Sequence, residues 1–166
     1  MEREKTVCFT GHRAIPAARR PEVLLRLYSA VCRLILEGYD SFICGGAVGF
    51  DTEAALCVLE LRKRFSHIRL VLALPCRDQT VKWESLEALS VYKRILGEAD
   101  EVVYIQPFYT PGCMHERNRY MADSSSVCVS YLTSKRGGTY YTVNYAKSCG
   151  LRLINLGDEG EQIALG

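Results

Sequence analysis

A glycine-rich stretch in the first third of the chain has the composition of an anion-binding loop. The apolar run 41–44 is followed by three glycines within five residues, Gly45, Gly46 and Gly49, and then by Asp51 in a helix-like segment. Glycines let a ligand approach the backbone closely, and the free N–H groups at a helix N-terminus favour phosphate or carboxylate. The glycine spacing fits neither G-x-G-x-x-G nor the P-loop pattern, so a turn that only permits tight packing is the alternative interpretation.

Further polar clusters follow other apolar runs in the same way. They offer cations for phosphate or carboxylate, amide and hydroxyl groups, glycine N–H donors and aromatic faces for a base, while Asp51 suits ribose hydroxyls. The candidate ligand-binding residues in these clusters are Gly11, His12, Arg13, Trp83, Arg117, Asn118, Gly137, Gly138 and Thr139, in addition to the three glycines and Asp51 of the first loop.

Several of these residues also have ordinary structural interpretations. Asp51 or its neighbour Thr52 can cap the following helix, His12 can satisfy hydrogen bonds within its turn, and Trp83 can belong to the core. A solvated polar face is the usual interpretation of Arg117 and Asn118. The short segment that carries them has little apolar surface to bury, however, and this favours a functional role for the pair.

The elements that must position these residues alternate between strand and helix. Short apolar runs predict strands, and three- and four-residue spacing of apolar side chains predicts helices between them. The predicted strands are 6–9, 41–44, 68–74, 101–105, 127–132 and 151–156, and the predicted helices are 21–37, 51–64, 83–97, 114–123 and 139–148. This order predicts one Rossmann-like, doubly wound α/β domain with a mainly parallel sheet of about six strands and helices on both faces. Every polar cluster then lies at the carboxyl-end rim of the sheet, where such folds bind ligands.

The composition is that of an ordinary folded domain. The chain has 166 residues, of which 48% are hydrophobic and 24% charged, and its net charge is +2. We expect one domain over residues 1–166, with a core at about 6–156 and a C-terminal tail at 157–166. The charge is too small for a dedicated nucleic-acid binder, and no basic stripe with interleaved aromatic residues occurs, which argues against nucleic acid as a partner.

Eight cysteines stand without metal-ligand spacing or a C-x-x-C motif, which predicts free thiols, no metal site and no cofactor. The N-terminal residues carry charges of both signs, and no apolar run is long enough to cross a bilayer. These features favour a cytoplasmic protein without membrane insertion. A protein partner or a homo-oligomer stays open.

The combined motifs resemble the DUF1273 (YpsA-like) family of the SLOG superfamily, over about residues 6–156. The motifs that carry the resemblance are Thr10-Gly11-His12-Arg13, Gly45 to Asp51, Leu74-Pro75, Trp83, Ala99-Asp100, Arg117 to Asp123 and Gly137-Gly138-Thr139. The resemblance implies a bacterial protein with a Rossmann-like fold that binds a nucleotide or a nucleotide-derived ligand at the glycine turns. Our first hypothesis is a module that binds an ADP-ribose-like ligand as a sensor or regulatory protein.

The second glycine turn departs from the pattern of the LOG-type phosphoribohydrolases in the same superfamily. Those enzymes carry P-G-G-x-G-T-x-x-E, and Thr142 stands here at the position of the glutamate. The acid expected for N-glycosidic cleavage is therefore missing from this loop, which favours binding over catalysis unless Asp51 or Asp123 supplies it. Two alternatives stay open: a hydrolase that cleaves an N-glycosidic or phosphoester bond of a nucleotide, and single-stranded DNA binding as in DprA-type proteins.

Overall fold

A computed structural model gives the fold of the protein and describes residues 1–157. The predicted tail at 157–166 lies outside the described residues apart from Gly157. Six strands alternate with five helices, and the elements are β1 (Thr6–Gly11), α1 (Arg20–Leu36), β2 (Ser41–Cys44), α2 (Phe50–Arg62), β3 (Arg69–Leu74), α3 (Leu86–Glu98), β4 (Glu101–Tyr104), α4 (Cys113–Asp123), β5 (Val127–Tyr131), α5 (Gly138–Ser148) and β6 (Arg152–Asn155). A short 3-10 turn, Arg3–Lys5, precedes β1.

The six strands form one parallel sheet in the order β4-β3-β2-β1-β5-β6. This confirms the predicted Rossmann-like α/β architecture. The chain runs from β1 outwards to β4 on one side and then returns to place β5 on the other side of β1. The strand order therefore reverses between β1 and β5, and in open α/β sheets this switch point is where ligands bind.

The period-two alternation of the strands divides the core between two helical layers. Val7 and Phe9 of β1 pack in one buried cluster with residues of α1, α2 and α3. Cys8 of the same strand points to the other face and packs with Met121 and Ala146, which belong to α4 and α5. Both faces of the sheet are thus covered by helices, as expected for parallel strands that read as apolar runs.

Some predicted boundaries were wrong, and the differences concern the rim of the sheet. Strand β1 extends to Gly11 because Thr10 and Gly11 continue the pairing with β5, so the predicted turn begins two residues later. Helix α3 begins at Leu86, after a side-chain cap by Ser85, and leaves Trp83 in the preceding loop. Helix α2 begins at Phe50 with Gly49 at its cap position, so neither Asp51 nor Thr52 is the N-cap.

Other sequence-based expectations can be compared with the described part of the chain. All eight cysteines are free thiols, and within residues 1–157 no group of three or more His, Cys, Asp or Glu side chains is placed to hold a metal ion. None of the helices described there combines the length and the apolar character needed to cross a membrane.

Candidate functional site

A cavity of about 400 Å³ opens at the switch point of the sheet. Its walls come from the end of β1, from the first glycine loop, from the N-terminal half of α4, and from the second glycine turn with the start of α5. The lining residues are Phe9, Thr10, Gly11, His12, Arg13, Ala47, Asp51, Met114, His115, Arg117, Asn118, Arg136, Gly137, Gly138 and Thr139. Cavities of this volume are large enough for a small organic ligand such as a mononucleotide.

The second glycine turn forms one wall of this cavity. Gly137 has a φ of +96° and precedes the first residue of α5, and no side chain caps that helix. A Cβ atom built on Gly137 or Gly138 would meet nothing within 4 Å. The absence of side chains thus leaves open space at the positive end of a helix, where a phosphate can reach the backbone N–H groups.

In the first glycine loop, polar groups that could bind a ligand are engaged in hydrogen bonds within the protein. The Asp51 carboxylate accepts a hydrogen bond from the Ala47 N–H at 3.3 Å, and the Phe50 N–H donates to the His12 carbonyl at 3.1 Å. These bonds use the polar groups that an anion would otherwise find at the start of α2. Of this loop, only Ala47 and Asp51 line the cavity.

The glycines of that loop, together with Gly11, permit close packing. A Cβ atom on Gly49, whose φ is +82°, would lie 2.2 Å from the Arg13 carbonyl oxygen, and one on Gly11 would lie 2.5 Å from Phe50. A Cβ atom on Gly45 would lie 2.6 Å from Arg117 Nη1. Gly46 has a φ of +73°, a backbone conformation that favours glycine. The packing interpretation thus describes Gly45, Gly46 and Gly49 in this structure, since none of the three lines the cavity.

Two buried ionisable side chains form the floor of the cavity. Asp51 is 6% exposed and Arg117 is 5% exposed. Burial raises the pKa of Asp51 to about 6, although Arg117 and the Ala47 N–H act in the opposite direction. Burial also lowers the pKa of Arg117, against the attraction of Asp51. Burial outweighs the attraction for both groups, because each loses more hydration than the other restores.

Arg117 is held by hydrogen bonds on both sides of its guanidinium group. Its Nη1 donates to the Gly45 carbonyl, and its Nε donates to the Oδ1 of Asn118 at 2.7 Å. The second bond orients the Asn118 amide and leaves its NH₂ group to donate elsewhere. Arg117 is therefore buried and linked to Asn118, so a solvated helix face does not describe it, and the functional role of the pair stays a prediction.

His12 lines the cavity and bonds to a distant segment rather than within its own turn. Its Nε2 accepts a hydrogen bond from the Thr133 N–H at 2.9 Å, and its ring meets Tyr131 edge-on at 5.7 Å. Partial burial lowers the pKa of His12. The neutral ring therefore ties the end of β1 to the loop after β5 and carries its proton on Nδ1, and it also lines the cavity.

The cavity contains basic residues that sequence reasoning missed. Arg136 and His115 line it together with the predicted Arg13, and all three side chains are exposed. Arg136 directly precedes the glycine turn, and His115 stands three residues before Asn118 on α4, so helical periodicity could have found it. Met114 was also missed, and its Sδ accepts a weak hydrogen bond from Arg13 Nη2 at 3.6 Å.

A second, smaller compartment of about 30 Å³ lies beside the cavity. It shares Arg13, Ala47, Met114 and Arg117 with the cavity and adds Val48, Gln79 and Trp83. The Trp83 ring packs edge-on against Tyr92 with centroids 5.2 Å apart. Trp83 is thus half-buried at the border of the compartment and does not line the main cavity.

The remaining candidate acids lie apart from this arrangement. Asp123 is the last residue of α4, and its carboxylate accepts a hydrogen bond from Tyr145 Oη at 2.7 Å. Thr142, at the position of the LOG-type glutamate, is 3% exposed and donates its hydroxyl hydrogen bond to the Gly138 carbonyl at 2.9 Å. Asp51 is the acidic residue that lines the cavity in the described part of the chain.

Comparison with solved structures identifies DNA processing proteins as structural neighbours. DNA processing protein A from Helicobacter pylori, studied for its single-stranded DNA binding mode, superposes with a TM-score of 0.64 at 15% identity, over 90% of this chain and 64% of that one. DprA from Streptococcus pneumoniae gives the same TM-score and identity, over 92% of this chain and 50% of its own. At this identity the likeness shows the shared fold.

Sequence comparison identifies closer relatives. The uncharacterized SPbeta prophage-derived protein YoqJ of Bacillus subtilis is 35% identical over 123 residues, which are 67% of this chain and 71% of that protein. The UPF0398 protein BH1768 of Halalkalibacterium halodurans is 30% identical over 120 residues, 70% of this chain and 63% of the relative. The family model YpsA, described as the YspA SLOG family, matches residues 22–152. The chain therefore belongs to the YspA SLOG family.

Proposed function

We propose that the protein binds a nucleotide-derived, ADP-ribose-like anion in the cavity at the switch point and acts as a sensor or regulatory module. The observation that carries this proposal is the open glycine turn at the start of α5, because Gly137 and Gly138 have no atoms within 4 Å of where a Cβ would stand. Exposed Arg13 and Arg136 lie around it. A phosphate there would meet backbone N–H groups, a helix dipole and two mobile cations.

The groups deeper in the cavity suit the sugar part of such a ligand. Asp51 and Asn118 offer a carboxylate and an amide to ribose hydroxyl groups. Both are fixed by hydrogen bonds, Asp51 to the Ala47 N–H and Asn118 to Arg117. Polar groups that are already oriented lose little entropy on binding, which favours specific recognition.

Thermal unfolding with ADP-ribose, adenosine 5′-monophosphate and inorganic phosphate tests the proposal. A ligand at 100 times its dissociation constant stabilises the folded state by about 2.7 kcal/mol, or about 5–10 °C for a domain of this size. Arg136→Gln should reduce the shift. Lys135→Gln is the matched control, because Lys135 is an exposed neighbour that lies outside the cavity lining. Unchanged melting temperatures with all three compounds would refute the proposal.

Asp51 supports a second candidate, the hydrolysis of an N-glycosidic or phosphoester bond. Its pKa is raised to about 6, so this carboxyl group can exchange protons near neutral pH, as a general acid or base must. Released base or phosphate from adenosine 5′-monophosphate or ADP-ribose, detected by chromatography and lost in Asp51→Asn, would establish turnover. Binding without product release would favour a binding role over catalysis.

Single-stranded DNA is a third candidate ligand, and an exposed aromatic and cationic group beside the cavity supports it. Tyr140 and Tyr141 are each 37% exposed at the start of α5. Arg119 donates to Tyr141 Oη at 2.8 Å, and His115 lies edge-on to the same ring at 4.6 Å. Stacked bases and neighbouring cations would give a steep salt dependence of oligonucleotide affinity. Tyr141→Ala should then lower the affinity for oligonucleotides and leave the affinity for ADP-ribose unchanged.

A further inference from the structure

Gln79, which lines the small compartment beside the cavity, carries a buried acceptor without a hydrogen-bond partner in the described part of the chain. Gln79 Nε2 donates to the Gly46 carbonyl at 2.9 Å. Gln79 Oε1 is buried and, among the residues that the structure describes, has no hydrogen-bond partner. A carbonyl oxygen can only accept, so the bond to Gly46 fixes which end of the amide is NH₂ and which is oxygen.

Leaving such an acceptor without a donor is costly, so the compartment favours a group that brings an N–H. At about 30 Å³ the space admits a water molecule in the free protein. A ligand N–H group that reaches the oxygen would satisfy it directly, and an analogue without that N–H would leave it unpaired. Gln79 therefore suits selection among ligands by one hydrogen bond.

Trp83 adds a flat apolar surface to the same compartment. It is half-buried and its ring is held edge-on by Tyr92. An aromatic face beside a single fixed acceptor is complementary to a heterocyclic base with an amino group on its edge, because stacking holds the ring and the acceptor reads the amine. A purine with a 6-amino group has this chemistry.

The compartment is too small for a purine as it stands, and it shares Arg13 and Met114 with the cavity. Arg13 is exposed, and its guanidinium group makes a weak contact with Met114 Sδ at 3.6 Å. Occupation by a base therefore requires Arg13 to move away from Met114, and a phosphate bound at the glycine turn would attract its guanidinium group.

We propose that the compartment lined by Gln79 and Trp83 is the base subsite of the cavity and that it selects a 6-aminopurine nucleotide. The inference rests on the proposed function, because the phosphate must occupy the Gly137–Gly138 turn. The sugar lies beside Asp51 and Asn118, and the amino group donates to Gln79 Oε1. The class of ligand is thus an adenine nucleotide or an adenine-terminated derivative.

Trp83 is the single tryptophan of the chain, so its fluorescence reports occupation of this compartment. The probes are adenosine 5′-monophosphate, purine riboside 5′-monophosphate, which lacks the amino group, and ribose 5-phosphate, which lacks the base. We expect both nucleotides to quench Trp83 and ribose 5-phosphate to raise the melting temperature without quenching. The adenine nucleotide should bind about tenfold more tightly than the purine analogue.

Gln79→Leu should reduce that tenfold preference to about one while both nucleotides still bind. Gln106→Leu is the control, because Gln106 lies outside both spaces and bonds to Glu116. Equal affinity of the two nucleotides for the unmodified protein, a preference that survives in Gln79→Leu, or binding without quenching would overturn the base subsite. In these cases ribose 5-phosphate binding would still support the proposed function. If none of the three compounds binds, both proposals fail.

Discussion

Asp51 and Arg117 are buried side by side against Gly45. A Cβ atom on Gly45 would lie 2.6 Å from Arg117 Nη1 and 2.9 Å from Asp51 Oδ2. Opposite charges usually hold each other ionised, yet burial shifts the pKa of both groups towards their neutral forms. The chain thus keeps two partly dehydrated ionisable groups where a small hydrophobic pair would fold more easily, as is typical of sites retained for function.

This pair predicts that Asp51→Asn stabilises the protein at pH 8 and has little effect at pH 4. The folded chain holds the Asp51 proton up to about pH 6, whereas the unfolded chain releases it near the ordinary value. The folded state therefore binds more protons between these values, and the free energy of unfolding falls as the pH rises through them. The cost is complete above about pH 6, on the order of 3 kcal/mol, and an amide avoids it.

Urea unfolding of both proteins at several pH values measures this difference. Other carboxyl groups titrate equally in the two proteins, so the difference between them isolates Asp51. A variant that is less stable than the unmodified protein at pH 8 would show that Arg117 stabilises the ionised carboxylate more than burial opposes it.

Gly45→Ala should destabilise the protein by about 1–3 kcal/mol, because the added methyl group overpacks the buried pair. Arg117 would have to give up its bond to the Gly45 carbonyl or push Asp51 aside. Gly97→Ala in α3 is the matched control, since a Cβ there meets nothing within 4 Å, and it should be neutral or stabilising. Thermal unfolding of both variants provides the test, and an equal melting temperature would contradict the predicted crowding.

The location of this site at one edge of the sheet could be predicted from the sequence. Which of its residues line the cavity and which only permit packing could not. Strand and helix alternation predicted the parallel sheet, and so it also predicted that Arg117 and Gly137 meet at one edge. The role of Gly45 and Gly49 depends on what packs against them from distant segments, namely Arg117 and the turn at Arg13. Sequence spacing carries no information on such contacts. For the same reason Gln79 was missed, because an unpaired amide oxygen is visible only in the folded chain.

Gly138→Ala should abolish or strongly weaken binding of ADP-ribose while leaving the fold intact. Gly138 is the first residue of α5, its φ is not in the left-handed region, and no atom lies within 4 Å of an added Cβ. The methyl group would therefore occupy only the space that a phosphate needs. Isothermal titration and thermal unfolding without ligand measure the two effects separately. Unchanged affinity in a normally folded variant would place the phosphate elsewhere.

His12 predicts a loss of local order in acid. Burial lowers the pKa of His12, so the unfolded chain binds a proton there more readily than the folded chain does. The contribution of His12 to the free energy of unfolding is therefore lost as the pH falls below about 6.5. Protonation also removes the Nε2 acceptor of the Thr133 N–H. Hydrogen exchange of the Thr133 amide should thus speed up at low pH relative to amides in β5. A constant ratio of the two exchange rates would rule out this link.

Thr142→Glu should destabilise the protein and fail to create a LOG-type hydrolase. Thr142 is 3% exposed, and its hydroxyl group bonds to the Gly138 carbonyl. A glutamate at this place would bury a carboxylate and remove the hydroxyl bond to Gly138, which costs several kcal/mol or forces the first turn of α5 to shift. Thr142→Val removes only the hydroxyl group and should cost about 1 kcal/mol. Melting temperatures of the two variants, together with a chromatographic assay for released base, measure both parts of the prediction. A stable and active Thr142→Glu protein would show instead that this turn of α5 has room for the acid, and that the position of the carboxylate alone separates binding from cleavage in this fold.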